Sequence, residues 1–521
     1  MSLVLEPRLL PGLAAIWRRC AAGFGDDGSP QDARSSRRIA FKLFAGIALL
    51  GAFWGSVIAV AGLNALYLCV ALIGCAFILL EFRVGVVLLI LLMPISSSDV
   101  FPHAMLGITG LNPLNVLLAG TLGSYLLHGL SDGSLRRFLP RPLFWLYVAP
   151  ILLAGALGSR HVGDIAPAFF MYDLLDFHDT VGYVRDRVIK PLLIVVFALL
   201  VSAAASRSEK PERFLIPMLI SIWVMGSLVI VFVSQSGVAL HQLASSDSRE
   251  FLSALGMHAN ELGRLYVVAY ALLLFTWAES KELGIGLVLL ASMGLVMAAL
   301  VLTFSRGAFV GFVLVNLLFP LWRRNAKNLI FLGLLAAVAL CALPDAVYDR
   351  VATGSGEGLN AISAGRIDLI WLPLLPELLR SPVYGSGLGS ILWSDAMRSG
   401  AGVTILPVSH PHNAYLQALL DMGMVGLILV CAYFAHVWKG FRALGLDPSL
   451  SPTLRGFYLG AAAGLLGFLA ASVTDGSLAP KPEQVFLWLA IGMMYGQRAR
   501  KPAALRNAAQ GIGVAQQRFM E

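Results

Sequence analysis

Apolar residues run through this chain in long blocks separated by polar breaks, and about half of the blocks are long enough for a straight helix to cross a bilayer. They fall at roughly 43–62, 63–80, 84–97, 113–128, 143–158, 188–205, 214–233, 264–278, 284–303, 307–321, 328–343, 415–436, 456–474 and 484–497. In lipid every backbone N–H and C=O must be satisfied within the protein, so such blocks predict helices. Several are shorter than the about 20 residues a straight span needs, which leaves one or two as candidates for re-entrant segments. The expected fold class is an all-α polytopic membrane protein with about 12–14 transmembrane helices and a partly helical cap on the extracytoplasmic side. The chain divides into a basic arm over 1–42, helices over 43–343, a large polar loop over 344–413, further helices over 414–498 and a tail over 499–521.

Composition agrees with this pattern. Hydrophobic residues make up 58% of the chain and charged residues only 13%, against about 25% charged in soluble domains. The cations gather in alternate loops: Arg136, Arg137 and Arg141; Arg207, Lys210 and Arg213; Arg323, Arg324 and Lys327; Lys439, Arg442 and Arg455. Because Lys and Arg resist translocation, these loops and both termini are expected in the cytoplasm. That bias accounts for most of the net charge of +8 and leaves little support for a nucleic-acid partner. The first apolar block has no evident cleavage site and reads as a retained span. The five cysteines show no metal-ligand spacing.

The loop over 344–413 is longer than a connection requires. Within it Ile367 to Leu379 has apolar residues at helical spacing, bounded by Pro382 and the Gly385–Gly389 run, so it reads as a folded cap. At its end stands His410-Pro411-His412-Asn413, directly before the apolar run that begins at Ala414. An imidazole that exchanges its proton near neutral pH suits a general base at a membrane–water boundary. The plainer reading is a histidine that only caps a helix. In a straight helix Gly423 would lie about 16 Å below His412, with Gly426 one turn further, where both would let helices pack closely.

Arginines strengthen the chemical reading. Translocated segments should be poor in cations, yet Arg185, Arg187, Lys190, Arg264 and Arg306 are all expected on the side of His412. One such residue would snorkel to a headgroup; several from separate helices fit a polyanion such as a lipid diphosphate, whose oxygens suit the guanidinium fork. Asp173, Asp176, His178 and Asp179 offer a competing divalent-metal site, but without a tight ligand motif they read as a solvated acidic turn. Trp145, Trp322 and Trp438 fit an interfacial belt, Pro94, Pro113 and Pro191 read as span boundaries, and Asn64 and Asn316 as interhelical contacts.

His412-Asn413, nine residues and then Gly423-Met424-Val425-Gly426 resembles the motif of the O-antigen ligase and O-antigen polymerase superfamily. Thr303-Phe304-Ser305-Arg306-Gly307 is similar to that family's Ser-Arg-Gly segment, and Gly365-Arg366 through Trp371 to Gly387 to its large periplasmic loop. The resemblance covers about residues 285–435. It implies an inner-membrane glycosyltransferase acting on the periplasmic face, without cofactor or required metal. Its donor would be an undecaprenyl-diphosphate-linked glycan, and its acceptor either lipid A-core or a second lipid-linked glycan. His412 would then be the base and Arg306 would bind the diphosphate, with Arg264 and Arg185 or Arg187 added by topology. Asn413, Gly423, Gly426, His410 and Arg366 would support the site. Two readings of other kinds remain open: a flippase for a lipid-linked sugar, which would favour ionisable residues in mid-span, and a metal-dependent transferase using the acidic turn.

Overall fold

A computed structural model describes residues 51, 63–98, 101–105, 108–131, 139–239, 242–244, 247–323, parts of 329–352, 356, 358–398 and 408–500. The basic arm, nearly all of the block at 43–62, most of that at 328–343 and the tail beyond 500 lie outside these residues. The chain forms two compact units. One holds residues 1–73 and 104–113, and its described part includes a short antiparallel hairpin pairing Ala104 with Thr109 and Met105 with Ile108. The other holds 74–103 and 114–521.

The helices are α1 Leu63–Leu80, α2 Phe82–Leu92, α3 Pro113–Ser131, α4 Arg141–Asp164, α5 Thr180–Arg207, α6 Pro211–Gln235, α7 Ala259–Glu279, α8 Leu283–Leu302, α9 Arg306–Trp322, α10 over 367–380, α11 Ala414–Gly445, α12 Pro452–Ala471 and α13 over 485–500. Among the described residues α4, α5, α6, α7, α8, α11 and α12 are long and apolar enough to cross a membrane, and α1, α2 and α9 are shorter apolar helices. The chain is an all-α multi-pass membrane protein.

The centre of the larger unit is α7, buried on every side from Leu262 to Thr276. A helix that is apolar all round belongs inside a bundle. It packs on α12 through a row of glycines. A Cβ at Gly456 would fall 2.6 Å from the Phe275 carbonyl oxygen, and one at Gly460 2.5 Å from that of Ala271. Lipid gives little hydrophobic drive for helices to associate, so backbone contact of this kind supplies much of the packing. On a neighbouring face Asn316 accepts a hydrogen bond from the Tyr270 hydroxyl at 2.9 Å, the interhelical role expected of it.

Two expectations are corrected. Pro191 does not end a span but lies inside α5, just after a π-helical stretch at Val184–Ile189. The same arrangement recurs with Phe144–Val148 before Pro150 and Ile367–Trp371 before Pro373. Proline has no N–H to donate and crowds the carbonyl four residues back, so the turn before it widens to i→i+5 bonding. Nor is α11 straight. Gly423 has φ 65° and ψ −171° and breaks the helix, so Gly423 does not lie three turns below His412 along one axis. The backbone of 382–387 fills the break: Met424 N–H donates to the Pro382 carbonyl at 2.9 Å and Ser386 N–H to that of Leu420 at 2.9 Å. Tyr415 is thereby brought to line an apolar groove with Cys431 and Phe434.

The cap residues sit on this frame through their glycines. A Cβ at Gly387 would be 2.3 Å from the Gly158 nitrogen of α4, and Leu388 N–H donates to the Ala154 carbonyl at 3.0 Å. Asp421, buried beside the break, accepts from Gly389 N–H at 3.0 Å and the Ser390 hydroxyl at 2.9 Å. The Gly385–Gly389 run is therefore clamped between helices.

Candidate active site

Five segments meet at the turn that follows α12, residues 472–477. The start of α11 is fixed to it by Ala414 N–H donating to the Ser472 carbonyl at 3.0 Å, while the Asn413 side chain accepts from Tyr415 and Leu416 N–H, each at 3.0 Å. The start of α9 rests on it because Gly307 lacks a side chain: a Cβ there would be 2.2 Å from the Thr474 hydroxyl. From the start of α7, Asn260 donates its amide to Asp475 Oδ2 at 2.6 Å. From the cap, Arg366 donates to the Thr474 carbonyl, and the Trp371 indole donates to the Pro411 carbonyl at 2.8 Å. The segment after the turn contributes Lys481 and Glu483.

His412 is partly exposed, and its Nδ1 lies 3.3 Å from Asp475 Oδ1. His410 approaches the same oxygen with Nε2 at 3.5 Å, and the two imidazole centroids are 4.1 Å apart. A carboxylate only accepts, so pairing with Asp475 assigns the His412 proton to Nδ1 and leaves Nε2 as the basic nitrogen. Asp475 is nearly buried, and burial alone would raise its pKa. Hydrogen bonds from both histidines and the charge of Arg264 outweigh this and hold the carboxyl well below the usual carboxylate range. His410 keeps about a third of its side chain open to water, yet desolvation of the ring, with smaller effects of His412 and Lys481 and partly offset by Asp475, pushes its pKa down to about 4.

A second layer of charge lies beneath. Arg264 is 1% exposed and donates to Glu483, itself 0% exposed, at 3.2 Å. Its guanidinium lies on Gly476, where a Cβ would be 2.6 Å from Cζ. Lys481 pairs with Glu261 at 2.8 Å. Burial disfavours the Lys481 ammonium, but the charges of Glu261 and Glu483 prevail and raise its pKa.

Of the residues singled out in the sequence, His412, His410, Asn413, Arg366 and Arg264 are joined by these contacts. Arg306 opens α9 next to Gly307 and lies within electrostatic reach of Arg366. Arg185 and Arg187 make no hydrogen bond or ion pair with this cluster among the described residues: Arg185 pairs with Asp186 at 2.7 Å, and Arg187 lies over the Phe177 ring. Gly423 and Gly426 act through the helix break. The acidic turn does not converge on one point. Asp179 caps the helix that follows it, accepting from Gly182 N–H at 2.6 Å, and among the described residues the group that could hold a metal ion is His410, His412 and Asp475. Asp475 and Asn260 escaped the sequence reading, although an Asp between two apolar blocks in Thr474-Asp475-Gly476 was a usable sign.

Residues 286–431 match the O-antigen ligase family. That stretch is similar to an O-antigen ligase. The match covers about a quarter of the chain and takes in α9 with Arg306, the cap with Arg366, and α11 from His412 through Gly426. Arg264 and Asp475 join the site from outside the matched residues. No curated protein matches the chain.

Proposed function

We propose that the protein transfers a glycan from undecaprenyl diphosphate to an acceptor hydroxyl at the periplasmic face of the bacterial inner membrane. His412 Nε2 takes the proton of the hydroxyl as its oxygen attacks the anomeric carbon. The bond from that carbon to the diphosphate oxygen breaks with its electron pair, and attack from the opposite face inverts the anomeric centre. Asp475 holds the imidazole orientation and balances the imidazolium. Arg306 and Arg366 balance the departing diphosphate, helped by the positive N-terminal ends of α9 and α11. Arg264, buried on Glu483, supports the turn that carries Asp475. The observation that carries the reading is the His412–Asp475 pair at 3.3 Å beside two partly buried arginines within the O-antigen ligase match.

The acceptor is lipid A-core in a ligase and a second lipid-linked glycan in a polymerase; the chemistry is common to both. We favour the ligase. The described charges near this site stand at helix starts and in turns rather than in mid-span, the opposite of what a flippase path favours. Purified protein is incubated in EDTA with undecaprenyl-diphosphate oligosaccharide, with and without lipid A-core, and products are resolved on a gel. A single shifted product that needs lipid A-core supports a ligase, and a ladder without it a polymerase. Transfer retained by His412→Ala would sink the base assignment.

A further inference from the structure

We propose that His410, His412 and Asp475 also form a binding site for one borderline transition-metal ion, with Zn2+ as the probe, and that an ion seated there reversibly blocks transfer. The first half stands on geometry alone; the second rests on the reading of His412 as the base.

His410 Nε2, His412 Nδ1 and Asp475 Oδ1 all lie within 4.8 Å of one another, with the two histidine–aspartate separations at 3.5 and 3.3 Å. Zinc bonds of about 2.0–2.2 Å arranged tetrahedrally set ligand atoms roughly 3.3–3.5 Å apart. Two edges of such a tetrahedron are therefore in place. The third closes by turning imidazoles whose centroids are 4.1 Å apart.

The ligands are held from behind, as metal ligands usually are. The Ser409 hydroxyl lies 3.4 Å from His410 Nδ1, and the Asn260 amide binds Asp475 Oδ2 at 2.6 Å. The backbone between the histidines is fixed by the Trp371 indole on the Pro411 carbonyl at 2.8 Å. The trio can be reached from solvent: the His410 and His412 side chains are 36% and 25% exposed, while Asp475 is 8% exposed. Of the cations around this trio, Arg264 is paired with Glu483 and Lys481 with Glu261, while Arg366 donates to the Thr474 carbonyl. Two imidazoles and one carboxylate suit zinc or cobalt, whereas magnesium and calcium seek more oxygens. An ion on Nδ1 takes the place of the proton that Asp475 holds there, so the imidazole can no longer stand with Nε2 as a proton acceptor balanced by Asp475.

Full-length protein without a histidine tag is titrated with zinc chloride by calorimetry, and with cobalt chloride by visible absorption, before any substrate is added. One equivalent of zinc and the d–d bands of four- or five-coordinate cobalt are expected. His410→Ala, and His410→Gln should the alanine variant misfold, should weaken binding at least 100-fold, and Asn260→Ala about 10–100-fold. Equal zinc binding by wild type and a folded His410 variant, or displacement of zinc by equimolar magnesium, would overturn the site. In the transfer assay zinc should stop product formation and EDTA restore it. Stoichiometric binding with transfer unchanged would support the site and overturn the block, together with the assignment of His412 as base.

Discussion

Replacing Gly423 by alanine tests whether the break in α11 places His412. Gly423 has φ 65° and ψ −171°, a region that residues with a Cβ avoid, at a cost of about 1–3 kcal/mol. The added Cβ would also lie 2.4 Å from the Val383 carbonyl carbon and oxygen and 2.5 Å from the Gly385 nitrogen. These are backbone atoms and cannot rotate away, so crowding adds about 1–3 kcal/mol. The sum of about 2–6 kcal/mol is a large share of the stability of a folded protein. Relief requires the 382–387 segment to separate from 420–425, and that movement carries the short helix from Ala414 to Met422, which His412 precedes by two residues. A displacement near 1 Å at a catalytic group costs about 100-fold in rate. Gly423→Ala should therefore melt well below wild type in detergent and lose about 100-fold in transfer. Gly294→Ala, in the middle of α8 with nothing within 4 Å of the new methyl group, should gain up to about 1 kcal/mol from helix propensity and keep its rate. Equal melting temperatures and rates for the two variants would refute the argument.

Asp475→Asn keeps the shape of the turn but cannot balance an imidazolium, so transfer should fall about 10²–10⁴-fold while the protein folds; an unchanged rate would remove Asp475 from the mechanism. Its carboxyl is held well below 3.8, so the stability it adds is full above that pH and lost as acid carries it through the lowered value. Wild type should consequently lose more melting temperature than Asp475→Asn between pH 6 and 3. Arg264→Met leaves Glu483 buried without its partner and should cost about 3–5 kcal/mol in chemical denaturation, most of it recovered by adding Glu483→Gln; no recovery would show that the pair is not the reason. Arg306→Ala should depress transfer strongly and Arg306→Lys restore it only in part, because the fork is lost; full rescue would reduce the role of Arg306 to a point charge.

The helices were legible because lipid leaves the backbone one economical solution, and each apolar block within the described residues is helical over most of its length. His412, Asn413 and Arg366 could be read from local motifs. The break at Gly423 could not, because a glycine in an apolar run is equally a packing contact, and only the 382–387 backbone lying across it decides between the two. Asp475 was hidden for a related reason. Its partners are Asn260 on α7 and His412 before α11, 215 and 63 residues away, and no periodicity encodes such pairings. Arg264 was singled out as a cation near a span boundary, but that it meets Glu483 depended on tertiary packing, with its guanidinium lying on Gly476 in the turn after α12.

The site also shows how membrane helices can present polar groups without exposing loose backbone. Four non-glycine residues among those described have positive φ: Asp173, Phe304, Ala364 and His412. The last three stand two residues before the first helical residue of a segment at the site, at Arg306, Arg366 and Ala414, with Ser305, Gly365 and Asn413 between. Each left-handed residue costs about 1–3 kcal/mol and persists only where packing imposes it. Here the reversal turns the incoming chain so that each helix starts beside the turn over 472–477, with its first N–H groups taken up by the preceding side chain or by that turn. Histidine tolerates that backbone better than most residues, so position 412 can carry both the reversal and the base. The start of α9 is held there by close packing at Gly307, where a Cβ would meet the Thr474 hydroxyl and lie 3.1 Å from the Ala471 carbonyl oxygen. Because the turn over 472–477 continues directly from α12, substitutions in the α7–α12 seam should lower the rate of transfer without touching a reacting atom.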